Sequence, residues 1–150
     1  MNWPRWTEQA LLLFSASRKP FPRESNELDW KSNLSEKNDR LVEHLIAFAN
    51  YPGGGCLVYG VADQNACLIG IKENEVSPII DKLTNLGRDA INPPLSLDHA
   101  VIEVESVPLL FVHIPEQRNM PVHRRGKSIE EAWIPSEAKQ PKLYRITLRN

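Results

Sequence analysis

The strongest periodic signal lies between Lys37 and Asn50, where Leu41, Val42, Leu45, Ile46, Phe48 and Ala49 fall on one broad face opposite Lys37, Arg40 and Glu43. Apolar positions three and four residues apart predict an amphipathic helix. That helix has to stop at Asn50-Tyr51-Pro52-Gly53-Gly54-Gly55, because glycine supplies left-handed caps and proline cannot continue the ladder. The run Cys56-Leu57-Val58-Tyr59-Gly60-Val61 is then apolar without alternation, the pattern of a central strand covered on both faces. Upstream, Trp6 to Ser17 predicts a shorter amphipathic helix, broken at Lys19-Pro20-Phe21-Pro22. Between the two helices, Glu27 to Lys31 alternates in period two, which predicts a half-buried strand with Leu28 and Trp30 inward and Asp29 beside Lys31 on the other face.

Downstream, Asp63-Gln64-Asn65 carries turn chemistry, and Ala66 to Ile71 is expected to return against the central strand as a hairpin. A further helix is expected to begin at Ser77-Pro78, a cap followed by proline at the first helical position, with Ile79, Ile80, Leu83, Leu86 and Ala90 inward and Asn92-Pro93-Pro94 as its stop. Val101 to Glu105 and Leu109 to Ile114 read as an antiparallel pair joined around Ser106-Val107-Pro108. Pro115 to Lys127 reads as a polar, basic loop, and Ile129 to Ile134 as a short last strand. The alternation of helices and strands predicts an α/β (α+β) fold, a mixed β-sheet with helices packed on it. With 150 residues the chain has the length of one globular domain. The expected division is an N-terminal helix and linker over 1–22 and the main unit over 23–150.

Composition changes this picture in two ways. No apolar run approaches the roughly 18 to 20 residues that cross a bilayer, and the start lacks the layout of a signal peptide, so a cytoplasmic protein without a membrane partner is expected. The net charge of -1 hides an asymmetry: residues 1–117 carry 10 Lys/Arg against 16 Asp/Glu, and residues 118–150 carry 8 against 3. The C-terminal fifth is a basic strip. Cys56 and Cys67, the only two cysteines, are too few for a disulfide framework and read as core thiols.

Three groups carry candidate chemistry. Glu24, Asp29 and Asp63 are carboxylates that the coarse fold brings towards one region, the oxygen ligands that magnesium or manganese prefers, with Lys31 placed to hold a phosphate as a point charge. Solvated strand-end and turn carboxylates would look the same. The Pro52-Gly53-Gly54-Gly55 turn runs from helix to strand, the reverse of a Walker loop, and reads as a tight turn with close backbone approach. Arg118, Arg124, Arg125 and Lys127, with His123, form a cationic segment suited to a nucleic-acid backbone, although a solvated loop has the same composition. Trp30, Phe48 and Phe111 sit at core positions rather than in a base-stacking set. His44, His99 and His113 form no visible pairing.

The residues Glu24-Ser25-Asn26-Glu27-Leu28-Asp29-Trp30-Lys31, Ala47-Phe48-Ala49-Asn50, Gly53-Gly54-Gly55, Gly60-Val61-Ala62-Asp63 and Ile69-Gly70-Ile71 together resemble the Schlafen AlbA-like domain. That family shows Glu-Ser-x-x-x-Glu-Phe-Lys, then Ala-Phe-Ala-Asn-x-x-Gly-Gly, Gly-Val-x-Asp and a Gly-hydrophobic turn. The resemblance covers about residues 24 to 125. It implies a mixed sheet and nucleic-acid (DNA or RNA) binding, in a family that includes bacterial RecG-like proteins and transcriptional regulators. In its animal branch a related domain cleaves RNA with three carboxylates and a divalent metal. Carried over by position, these would be Glu24, Asp29 and Asp63, with Lys31 at the family's lysine. Asp29 stands where glutamate is usual and Trp30 where phenylalanine is. Ala132-Trp133-Ile134-Pro135-Ser136 lacks the arginine and glycine of the family's late Tyr-x-Arg-x-Gly-Ser motif.

The first expectation is a nucleic-acid-binding module. The alternatives are a metal-dependent endoribonuclease using magnesium or manganese, and a protein-interaction or dimerisation module that would form a homodimer through an open sheet edge and the Trp3 and Trp6 start.

Overall fold

The computed structural model describes residues 3–18, 28–33, 37–62, 66–118 and 121–126, together with the backbone of 133–135 and 143–145. Helix α1 spans Arg5–Arg18, with Glu8 in its first turn and Arg18 in its last, each charge matched to the helix dipole. It buries Thr7, Ala10, Phe14 and Ser17 along one stripe. Strand β1, Leu28–Lys31, pairs in parallel with β2, Gly55–Tyr59, in the register Asp29 to Leu57 and Lys31 to Tyr59. Between them runs α2, Asn38–Ala49, whose buried residues Leu41, Val42, Leu45, Ile46, Phe48 and Ala49 are the stripe seen in the sequence.

Helix α3 spans Glu73–Asp89 and is followed by the two-residue strand β3, Ile91–Asn92. Strands β4, Asp98–Val104, and β5, Val107–Ile114, form the expected antiparallel pair. They turn at Glu105 and Ser106, both at positive φ (51° and 66°), the combination that matches a two-residue hairpin to sheet twist. Strand β6, His123–Arg124, pairs with β3, and β7, Trp133–Pro135, pairs with β8, Leu143–Arg145, as small ribbons outside the main sheet. The main sheet has the order β1-β2-β5-β4, mixed in direction, as the sequence pattern implied.

Period-two alternation divides the core. On one face Leu28, Trp30, Val58, Ala100, Ile102 and Phe111 pack under Ala10 and Phe14 of α1. On the other, Leu57, Tyr59, Leu110, Val112 and Ile114 pack against α2 and against Ile79 and Leu83 of α3. The sheet therefore lies between two helical layers. Each fully buried Leu, Ile or Phe contributes about 1.5–3 kcal/mol relative to exposure.

Several expectations need correcting. Strand β1 is covered on both faces rather than half-buried, so Asp29 is only 5 % exposed. Residues 66–71 make a single antiparallel bridge, Val61 to Leu68, in place of a hairpin. The cause is topological: a strand has two edges, and those of β2 are already filled by β1 and β5. The chain instead turns at Gly60 (φ 104°), whose carbonyl accepts from the N–H groups of Ile69 and Gly70 of the 66–71 segment at 2.8 and 2.9 Å. Helix α3 starts at Glu73, leaving Pro78 inside it, because the Lys72 N–H finds the Glu75 Oε1 at 2.9 Å and caps the earlier turn. Cys56 is buried as expected, whereas Cys67 is exposed. The region read as a loop from Pro115 to Lys127 contains β6, and the last strand acquires a partner, β8, that the sequence pattern did not announce.

Candidate functional site

Strand alternation places Asp29 and Lys31 on the sheet face that looks towards α2. There Asp29 Oδ2 lies 3.0 Å from Lys31 Nζ and 3.3 Å from Nδ1 of His44, a residue of α2. The three side chains are nearly enclosed, at 6, 11 and 15 % exposure, so the ion pair is weakly screened by solvent. The His44 ring meets Phe48, one turn later, at 6.5 Å between centroids. Glu24 and Asp63, the other two candidate carboxylates, lie outside the described residues, as does Lys127. Among the described residues no group of three or more His, Cys, Asp and Glu is gathered to hold a metal ion. Asp29 supplies one carboxylate, whereas magnesium or manganese wants about six oxygen ligands, so the rest of any such shell must come from elsewhere.

The arginines lie at the two ends of α2 and at the C-terminal end of α3. At its C-terminal end Gln117 N–H donates to the Ala49 carbonyl at 2.8 Å, and the Asn50 side chain brackets Val122, donating to its carbonyl at 3.0 Å and accepting from its N–H at 2.7 Å. The chain then runs back along the helix, and Arg124 Nη2 reaches Asp39 Oδ1 in the first turn at 2.8 Å. This hydrogen bond and charge hold the Asp39 carboxyl below the usual carboxylate range. Arg125 is fixed by its N–H to the Ala90 carbonyl (2.9 Å) and by Nη2 to the Arg88 carbonyl (3.3 Å). Arg88, Arg124 and Arg125 thus share the surface where α2 begins and α3 ends, opposed there by Asp39 and Asp89. Arg118 stands near the other end of α2, 84 % exposed, with its Nε 3.6 Å from Glu116 Oε1.

The glycine turn is a packing device. A Cβ on Gly54 would strike the Ile114 carbonyl, and one on Gly55 would enter the Phe48 ring, while Gly53 faces open space at φ 88°. Beside this turn α1 leaves a groove of about 380 Å³, walled by Trp6, Gln9 and Leu13 from the helix, by Gly53 and Gly54, and by His113. Trp6 stacks on His113 at 5.2 Å and 9° and donates its indole N–H to Asp98 at 2.7 Å. Burial pushes the Cys56 thiol, also at the groove, up to about 12.

Comparison with known proteins follows the same residues. The Schlafen, AlbA_2 family model matches residues 24–140. The chain belongs to the Schlafen AlbA_2 family. No curated protein matches it. The fold resembles the solution structure of the N-terminal domain of a RecG-related protein from Nitrosomonas europaea, named for an ATP-dependent DNA helicase (TM-score 0.58, 21 % identity, covering 94 % of this chain and 90 % of that one). It also resembles a crystal structure from Corynebacterium diphtheriae (TM-score 0.57, 14 % identity, 93 % of this chain), of which the chain spans about a quarter (26 %).

Set against the AlbA_2 pattern, Trp30 at the family's phenylalanine position is 2 % exposed and packs edge-on against Phe14. Two residues of this AlbA_2 domain escaped sequence reasoning. His44 is a polar ring within the apolar stripe of α2, one turn before Phe48, and that misplacement was its only signal. Asn50, within the Ala-Phe-Ala-Asn motif, reads locally as a helix stop, and its bonds to Val122 depend on a segment 72 positions away.

Proposed function

We propose that this AlbA_2 domain binds nucleic acid through arginines at the two ends of α2 and the C-terminal end of α3, with Arg88, Arg124 and Arg125 gripping the phosphate backbone and Arg118 extending the track; Lys127 of the same basic segment is expected to add to the charge. The observation that carries the reading is the bracing of Arg124 and Arg125 on Asp39 and on backbone carbonyls, which fixes two guanidinium groups on one surface. The ion pair with the exposed Asp39 is a weak one that a phosphate can replace. The name of the Nitrosomonas europaea neighbour, a protein related to the ATP-dependent DNA helicase RecG, agrees with a nucleic-acid partner. Each neutralised phosphate releases counterions, so affinity should fall steeply with salt. Arg124→Ala and Arg125→Ala should each weaken binding of DNA and RNA irrespective of sequence and reduce the salt slope by about 1. Unchanged affinity and slope in the double variant would sink the reading.

A second reading is a metal-dependent endoribonuclease, favoured by the enclosure of Asp29 with Lys31 and His44. A buried charge pair brings little net stability, and an enclosed carboxylate held beside a lysine is a combination found at functional sites. In this reading Glu24, Asp29 and Asp63 hold magnesium or manganese, which stabilises the charge developing on the phosphodiester, and Lys31 faces the phosphate. Cleavage of structured RNA should then need manganese or magnesium and vanish in Asp63→Asn with binding retained. RNA left intact under every metal condition would eliminate this reading and leave the binding module.

A further inference from the structure

The groove between α1 and the glycine turn has features that a purely electrostatic track does not use. Its 380 Å³ lies within the range of small-ligand sites. Trp6 is a rigid aromatic wall, its plane fixed by the His113 stack and its N–H by Asp98. Gln9 brings an amide, which can both donate and accept, to the same groove, and Leu13 supplies an apolar side. Opposite them Gly53 presents bare backbone, and a side chain there would meet no protein atom within 4 Å.

A cation stands at the mouth. The Gly53 N–H donates to Glu116 Oε1 at 2.9 Å, and the same oxygen lies 3.6 Å from Nε of the exposed Arg118. A mostly apolar groove with two ring walls, one amide and an adjacent guanidinium suits a heteroaromatic base carrying a phosphate. Base faces stack on aromatic walls, base edges satisfy an amide, and the phosphate matches the arginine.

We propose that this groove receives one unpaired base of a nucleic-acid strand, with Arg118 on its phosphate. The inference rests on the nucleic-acid-binding reading and deepens it: the arginine track holds the backbone of any nucleic acid, while the groove selects strands that can splay a base out. Trp6, Gln9 and Leu13 lie ahead of the family-matched residues 24–140, so this selectivity belongs to α1.

The test compares wild-type protein with Leu13→Trp, which fills the groove, and Gln9→Leu, which removes the amide from an otherwise intact wall. The probes are a short single-stranded oligonucleotide, the same strand with abasic positions, its blunt duplex, and free mononucleotides. Stacking of one base predicts about a tenfold loss of single-strand affinity in Leu13→Trp and, on wild-type protein, for the abasic strand. Gln9→Leu should lose less, and duplex affinity should stay the same in all variants. Salt-dependent binding of every strand with no response to abasic positions or to Leu13→Trp would overturn the groove assignment and leave the arginine track standing. Mononucleotide binding lost in Leu13→Trp, with no strand bound, would support the groove as a free-nucleotide site and remove the track. Binding of neither strands nor mononucleotides would overturn both.

Discussion

At the scale of single residues, His113 is the group whose titration the structure marks. Burial holds its pKa below the ordinary 6.5, against the opposing pull of Asp98 and of its hydrogen bond with the Gly55 backbone. The neutral ring stacked on Trp6 and beside Cys56 is therefore the folded form. Because the unfolded chain takes up a proton at higher pH than the folded one, the contribution is complete above about 6.5 and is lost as pH falls through the lower folded value. The melting temperature should accordingly drop between pH 7.5 and 5. The drop should be smaller in His113→Phe, which keeps a ring against Trp6 but cannot charge. Parallel pH profiles for the two proteins would show that His113 is not responsible. The residue scale is also where the sequence was least legible. Period-two alternation placed Asp29 next to Lys31, and the structure agrees, but alternation cannot tell a solvent face from one covered by a helix. The burial of that pair, and the arrival of His44 beside it, depend on α2 crossing above β1, a tertiary event with no trace in spacing.

At the scale of elements, legibility followed how locally each boundary is decided. Helix α2 and the β4–β5 pair were readable because apolar period and turn chemistry determine them within a dozen residues. The hairpin expected over 66–71 was not, since its chemistry was permissive and competition for the edges of β2 decided the outcome. The start of α3 shifted because a Lys72–Glu75 cap offered bonds earlier than the Ser77-Pro78 signal did. The same logic makes Asn50 the residue through which α2 organises its surroundings. Its amide satisfies both the N–H and the carbonyl of Val122, and the 121–124 segment carries Arg124 back to Asp39. Asn50→Ala removes both bonds and leaves partly buried backbone groups unpaired, at about 1–3 kcal/mol. Chemical denaturation should show that loss. Nucleic-acid affinity should fall as well, although Asn50 touches no phosphate, because Arg124 and Arg125 lose their anchorage. Retained affinity in a destabilised Asn50→Ala protein would mean that the arginines find their places without it.

At the scale of the whole molecule, no helix among the described residues is long and apolar enough to cross a membrane. The two faces of the sheet are secured differently. The α2–α3 face is held by a broad apolar cluster, whereas the other depends on α1, which is fastened near both ends of β4. Trp6 bonds Asp98 where β4 begins, and Arg18 Nη1 pairs with Glu105 Oε2 at 2.8 Å just past where it stops. Between these fastenings Phe14, 1 % exposed, meets Trp30 at 6.4 Å and Phe111 at 5.8 Å, edge to face in both cases. One side chain thus joins the helix to a sheet edge and to the sheet centre. Arg18, which also lies over the Phe14 ring at 5.3 Å, adds a cation–π contact to the same anchor. Phe14→Ala should destabilise the protein by about 3–5 kcal/mol, the sum of lost transfer energy and an aromatic-sized cavity. Arg18→Ala should lose far less, since Glu105 is well exposed and the pair is screened. If α1 is an independent flap, Phe14→Ala would leave the global unfolding midpoint unchanged and raise hydrogen exchange only in 5–18. If it is part of the cooperative core, the midpoint falls and protection drops across β1, β2 and β5 together. The double aromatic contact favours the second outcome, because removing Phe14 opens the sheet face at Trp30 and Phe111 at once.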